Sequence, residues 1–231
     1  MEPSSLPESA AVETAVRIPL RRDCLNGLLA VPAGATGLVI FVHGSGSSRL
    51  SPRNAFVARE LQRAGMATLL FDLLTAPEEA ADQRMGEHRL DIELLSKRVQ
   101  LATNWARERR DTRELPLGYF GSNTGGAAAL ITAARLRERV HAVVTRGGRT
   151  DLAWEALPDI VAPTMLIVGG LDAEIVESNR RAGARLQCRR SLEIVPAASH
   201  LFEEPGALQR AAALAREWFS KNLQPVPVSH P

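Results

Sequence analysis

The stretch PLGYFGSNTGGAAAL, residues 116–130, decides how the rest of the chain is read. Pro116–Phe120 has the composition of a short strand, and Thr124–Arg135 is an Ala-rich helix signal. Only Gly121, Ser122 and Asn123 separate them. A chain that passes from strand to helix in three residues turns sharply, and its backbone crowds against its neighbours. Small residues must flank such a turn, and Gly121 and Gly125 stand two positions either side of Asn123. The turn residue itself is expected to take a positive φ, which Asn tolerates better than most side chains.

The same alternation extends outward. Leu38–Val42 (LVIFV) and Met66–Phe71 (MATLLF) are continuous apolar runs, the mark of strands buried on both faces. Ser51 predicts an N-cap for a helix reaching about Ala64, with Pro52 in its first turn. Positions 92, 95, 99, 102 and 106 repeat apolar residues at helical spacing. Val140–Val144, Met165–Val168 and Leu192–Val195 read as further strands, and 174–186 and 206–221 as helices. Ala11–Ile18 and Gly27–Val31 read as early strands. Strands alternating with helices predict one α/β domain over residues 12–222, a mostly parallel central sheet flanked by helices on both faces. Residues 1–11 and 223–231 are expected to be flexible tails.

Composition narrows the class. The 231 residues carry 28 Lys plus Arg and 26 Asp plus Glu, a formal net charge of +2 that argues against a nucleic-acid partner. All the cations but Lys97 and Lys221 are Arg. No apolar run approaches the roughly 18 residues of a membrane span, so no membrane partner is expected. The opening MEPSSLPESA lacks the basic and apolar segments of a secretory signal. Cys24 and Cys188 are too few for a disulfide framework. The expected compartment is the cytoplasm. His88, His141 and His230 show no ligand spacing, so no metal is expected. Gly44-Ser45-Gly46 lacks the third glycine of a dinucleotide loop, and GSNTGG lacks the Lys of a phosphate loop.

Ligands of open α/β sheets bind at the carboxyl ends of the strands. His43-Gly44-Ser45-Gly46 follows LVIFV, and Asn123 follows the central strand. Asp172 follows MLIVGG, and His200 follows LEIVPAAS. A sharp turn, an acid and a histidine in that chain order match the α/β-hydrolase fold. FVHGSGSSRLSPRN, ATLLFDLLT, GYFGSNTGGAAAL, VVTRGGRTDLA, PTMLIVGGLD and IVPAASHLFEEPG together span about residues 38–206. In that order they resemble the dienelactone-hydrolase-type branch of the α/β-hydrolases. The resemblance implies hydrolysis of a small ester or lactone through an acyl-enzyme, without a cofactor. It makes position 123 the nucleophile site, His200 the general base and Asp172 the acid that fixes the ring's tautomer. The backbone N–H groups of Ser45 and Thr124 are expected to form the oxyanion hole.

Position 123 departs from the family's pattern, which has Ser there. A carboxamide has no proton that His200 could usefully remove, and its nitrogen lone pair is delocalised. Loss of the nucleophile in a serine hydrolase costs on the order of 10⁶ in rate. Activity is therefore expected to be weak or lost, unless another group starts the chemistry. Three such groups stay open: Thr124 after a one-residue slip of the turn, Ser122 despite its bulky flanks, and an Asp formed by deamidation of Asn123. The alternative function is a non-catalytic protein of this fold that binds a small ligand or a protein partner.

Other residues near the strand ends carry two readings each. Arg146 and Arg149 are candidate substrate-binding cations, because the planar guanidinium fork holds carboxylates. His43 either touches substrate or shapes its loop. Arg49 and Arg53 read as surface residues and Asp72 as a turn-stabilising acid. Asp172 also reads as a helix cap and His200 as a solvated loop residue. Trp154 is a candidate wall of the pocket.

Overall fold

A computed structural model describes residues 11–86 and 88–224. Its strands are β1 (Glu13–Pro19), β2 (Cys24–Ala30), β3 (Leu38–Val42), β4 (Ala67–Phe71), β5 (Leu117–Ser122), β6 (Ala142–Arg146), β7 (Thr164–Gly169) and β8 (Arg190–Val195). They form one sheet in the order β1-β2-β4-β3-β5-β6-β7-β8. The β1–β2 and β2–β4 pairs are antiparallel, and every other pair is parallel. The helices are α1 (Pro52–Arg63), α2 (Ala76–Met85), α3 (Ile92–Glu108), α4 (Thr124–Leu136), α5 (Ala173–Arg185) and α6 (Ala207–Asn222). This is the α/β-hydrolase architecture expected from the alternation of strand and helix.

The sheet is buried because both its faces are covered. Along β3, Leu38, Ile40 and Val42 join a core with α3 and α4, whereas Val39 and Phe41 join a second core with α1 and α6. The period of two sends successive side chains to opposite faces, so a strand covered on both sides must be apolar throughout. α1 starts as expected: Ser51 Oγ accepts the Asn54 N–H at 3.4 Å, and Pro52 occupies the first turn.

Two segments escaped the sequence reading. α2 buries only Asp82, so it shows no apolar period, and a Thr75–Glu78 capping box sets its start. A 3₁₀ segment, Thr150–Asp159, contains Pro158 and follows a period that an α-helical template misses. Leu223, assigned to the expected C-terminal tail, is buried, and a Cβ on Gly37 would lie 2.7 Å from its Cβ. Of the expected tails, residues 1–10 and 225–231 lie outside the described residues, while Ala11 and Gln224 are described. None of the described helices is long and apolar enough to cross a membrane.

From β3 the chain goes first to β4 on one side and later to β5 on the other. The strand order therefore reverses between β3 and β5. The loops leaving their carboxyl ends diverge there and open a crevice.

Candidate active site

Asn123 stands where β5 becomes α4, with φ 51° and ψ −125°. The flanking glycines are forced by contact. A Cβ on Gly125 would lie 2.2 Å from the Val42 carbonyl oxygen and 2.3 Å from that of His43. A Cβ on Gly121 would lie 2.6 Å from Gly126 Cα. The positive φ was expected, but ψ lies outside the left-handed helical region that favours Asn. The turn is therefore imposed by its surroundings, and Asn gives no conformational relief.

His200, after β8, links the turn to the acid. Its Nδ1 is 2.8 Å from Asp172 Oδ2, and its Nε2 is 2.8 Å from Asn123 Nδ2. Asn123 Oδ1 accepts the Thr124 N–H at 2.6 Å, which fixes the amide's orientation, since a backbone N–H can only donate. Nδ2 then donates to Nε2, so the ring proton sits on Nδ1 and donates to Asp172. The two readings of Asp172 hold together: Oδ1 accepts the Ile175 N–H at 3.3 Å and caps α5, while Oδ2 meets the ring.

The two N–H groups expected to form an oxyanion hole are both engaged. Thr124 N–H is held by Asn123 Oδ1, and Ser45 N–H donates to Thr124 Oγ1 at 2.9 Å. Thr124 is buried, and its hydroxyl faces Ser45 rather than His200, so the fold does not make the one-residue slip. Ser122 reaches the chamber wall but belongs to β5, and His200 meets Asn123 instead.

Asn123, His200 and Arg146 line one small chamber of about 100 Å³. Arg146 ends β6 and is buried between the rings of Phe120 and Phe202, its guanidinium carbon 6.0 and 5.9 Å from their centroids. Its Nη2 donates to Asn54 Oδ1 at 3.4 Å, and Nη1 has no partner. Burial, and then the neighbouring charge of Arg53, pull its pKa down to about 10, so it stays cationic at neutral pH. Phe120, Phe202 and Asn54 carried no sequence signal for this role, because they reach Arg146 only through the fold. Arg53 also lines the chamber and pairs with Glu203 at 3.1 Å. A wider cleft of about 750 Å³ shares Ser45, Ser47, Ser51 and Arg53 with the chamber.

Two expectations are corrected, for Arg149 and Trp154, and the two readings of His43 are resolved. Arg149 does not line the chamber: it forms a bidentate pair with Asp151 and faces a separate cleft of about 550 Å³. Its backbone N–H alone reaches the turn, donating to the Asn123 carbonyl at 3.1 Å. Trp154 lines that same distant cleft, with Arg181 and Arg185 against its ring at 5.6 and 4.8 Å. His43 has both ring nitrogens occupied: Nδ1–H donates to the Gly44 carbonyl at 2.9 Å, and Nε2 accepts the Leu73 N–H at 3.1 Å. Burial lowers its pKa, so it is a neutral loop-shaping residue. Asp72 accepts the Arg49 N–H at 2.8 Å and pairs with its guanidinium, the turn-stabilising role expected of it. Among the described residues, no cluster of His, Cys, Asp or Glu could hold a metal ion.

Residues 25–223 match the model of the dienelactone hydrolase family. The chain is 53% identical to a dienelactone hydrolase from Anabaena variabilis, with a TM-score of 0.91 over 93% of this chain and all of that one. Two Mycobacterium tuberculosis proteins, named provisionally as phosphoribosyl transferases, are 48% identical over 225 residues. The match covers 94% of this chain, which spans about half the length of those relatives. A dienelactone-hydrolase-like promiscuous phosphotriesterase from metagenomic libraries shares the fold at 18% identity, with a TM-score of 0.74 over 93% of this chain and 99% of that one.

Proposed function

Since the chain belongs to the dienelactone hydrolase family, we propose that its site is built to hydrolyse small esters or lactones, with position 123 as the nucleophile site. His200 is the general base, Asp172 its orienting acid, and Arg146 a substrate-binding cation. The observation that carries this reading is the unbroken chain Asn123–His200–Asp172, with both links at 2.8 Å. A hydroxyl in place of the Asn123 carboxamide could pass its proton to Nε2 as it attacks a carbonyl carbon. The imidazolium, steadied by Asp172, would then protonate the leaving alcohol. With Asn, no acyl-enzyme forms at position 123, and the expected activity is background. The name phosphoribosyl transferase belongs to proteins of about twice this length, and the residues around Asn123 favour ester chemistry instead.

One observation favours a second reading. The Asn123 carboxamide satisfies His200 Nε2 and Thr124 N–H at once, as a site specialised for binding would. Initial rates on short-chain aryl esters and small lactones separate the two. The parent should sit at background, Asn123→Ser should gain activity, and Asn123→Ser/His200→Ala should lose it. An active parent left unchanged by Asn123→Ser would place the nucleophile elsewhere. A silent Asn123→Ser would favour the binding reading.

A further inference from the structure

We propose that the chamber beside Asn123 and His200 is a phosphate subsite, and that this chain takes a small phosphorylated molecule. The inference rests on reading this chamber as the substrate site, but it requires no bond to be cleaved there.

Arg146 is the first observation. A buried cation is normally paired, because removing it from water without a partner is expensive. Arg146 has two aromatic faces and one long bond to a neutral amide, and its Nη1 has no partner. Nη1 itself is closed off from the chamber, so a ligand anion would balance the charge through the part of Arg146 that lines the wall.

The rest of the wall favours a dianion over a monoanion. Arg53 adds a second cation, and its own partner, Glu203, is an exposed carboxylate at the rim that holds it weakly. α1 and α4, of 12 and 13 residues, begin at the chamber through Ser51 and Asn123, so two positive helix ends converge there. Among the described residues lining the chamber, none is acidic.

The donors also come from separate directions. The Arg146 fork closes the end of β6, the Ser45 and Ser47 hydroxyls lie in the loop after β3, and Ser51 and Arg53 open α1. Donors spread around a volume suit a tetrahedral group with three terminal oxygens better than a planar carboxylate with two. About 100 Å³ is room for roughly three water molecules, enough for a phosphate group. The remainder of the ligand extends into the adjoining cleft. That cleft is walled by Asn26, Glu79, Gln83 and the Arg49–Asp72 pair, which suits a hydroxylated body.

Isothermal titration of the intact chain with inorganic phosphate and with propionate tests this. Phosphate should bind at least about tenfold more tightly than propionate, and Arg146→Met should weaken it by about tenfold or more. Propionate binding as tightly as phosphate would overturn the proposal in favour of a carboxylate subsite. Phosphate affinity unchanged in Arg146→Met, or no phosphate binding by the parent, would overturn it outright. Arg53→Gln covers the case in which Arg146→Met fails to fold: it should weaken phosphate several-fold, and an unchanged affinity counts against the subsite. The hydrolase reading fails or stands separately, on the ester activity of Asn123→Ser.

Discussion

The Asn123 carboxamide joins His200 to the start of α4: Nδ2 donates to Nε2 at 2.8 Å, and Oδ1 takes the Thr124 N–H at 2.6 Å. On the proposed reading, the side chain fills both the place of a nucleophile and that of a developing oxyanion. Replacing it with Ser installs a hydroxyl and frees the Thr124 N–H in one step. An aryl phosphonate ester should therefore leave the parent mass unchanged and label Asn123→Ser at residue 123, with no label in Asn123→Ser/His200→Ala. Label found on Thr124 instead would show that the turn slips by one residue.

Asp172 holds the proton of His200 on Nδ1, so Nε2 is the acceptor that a hydroxyl at position 123 would meet. In the Asn123→Ser background, Asp172→Asn should lower kcat on the order of 10³–10⁴-fold, because an amide allows the wrong tautomer. Initial-rate kinetics check this. A loss of less than about tenfold would mean that Asp172 serves mainly as the cap of α5.

Glycine matters at position 125 and is dispensable at position 183. A Cβ on Gly125 meets two carbonyl oxygens of the β3 end, whereas nothing lies within 4 Å of one on Gly183 in the last turn of α5. Gly125→Ala should cost about 3 kcal/mol or more by overpacking, read as a fall of roughly 6–12 °C in Tm. Gly183→Ala should stabilise by about 0.5–1 kcal/mol through helix propensity. Thermal unfolding of both variants decides whether crowding or chain entropy governs each site.

His43 makes stability depend on pH. Its folded pKa lies below the ordinary histidine value because it is buried. The unfolded chain therefore takes up this proton first as the pH falls. The contribution is fully present above about pH 6.5 and is lost as the pH falls toward the folded pKa. His141, whose pKa burial also lowers, acts in the same direction. Urea midpoints at about pH 7.5 and about pH 5.5 should fall more for the parent than for His43→Gln. Equal falls would remove His43 as a cause.

Arg149 is an outward residue despite its place three positions after Arg146. Its pair with Asp151 raises its own pKa and lowers that of the carboxylate. An exposed pair of this kind is worth about 1 kcal/mol at most. Because the side chain lines a separate cleft, Arg149→Ala should leave KM of the Asn123→Ser variant essentially unchanged. Steady-state kinetics on an anionic ester provide the check, and a clear rise in KM would return Arg149 to the substrate site.

The central strands β3 and β4 were legible because each is buried and almost wholly apolar along its length, and α1 because Ser51 and Pro52 mark its start. The order of Asn123, Asp172 and His200 was legible because strand ends in such sheets face one crevice. α2 was not legible, since its one buried residue is Asp82, held by Arg89 rather than by an apolar stripe. Arg146 was the better candidate because it closely follows the apolar run 140–144, but the pairing that turns Arg149 outward to Asp151 was not legible.

The sequence by itself determined the sheet, the sharp turn at residue 123 and the presence of Asn at that turn. Those depend on local composition, on spacing and on the identity of one side chain. Tertiary structure alone decided that Asn123 occupies the Thr124 N–H, that His43 is closed on itself and that Arg146 faces the chamber while Arg149 turns away. Each of these depends on the direction of a side chain relative to segments distant in sequence. Phe202 lies against Arg146, and Leu73 against His43, only once the sheet has brought their loops together.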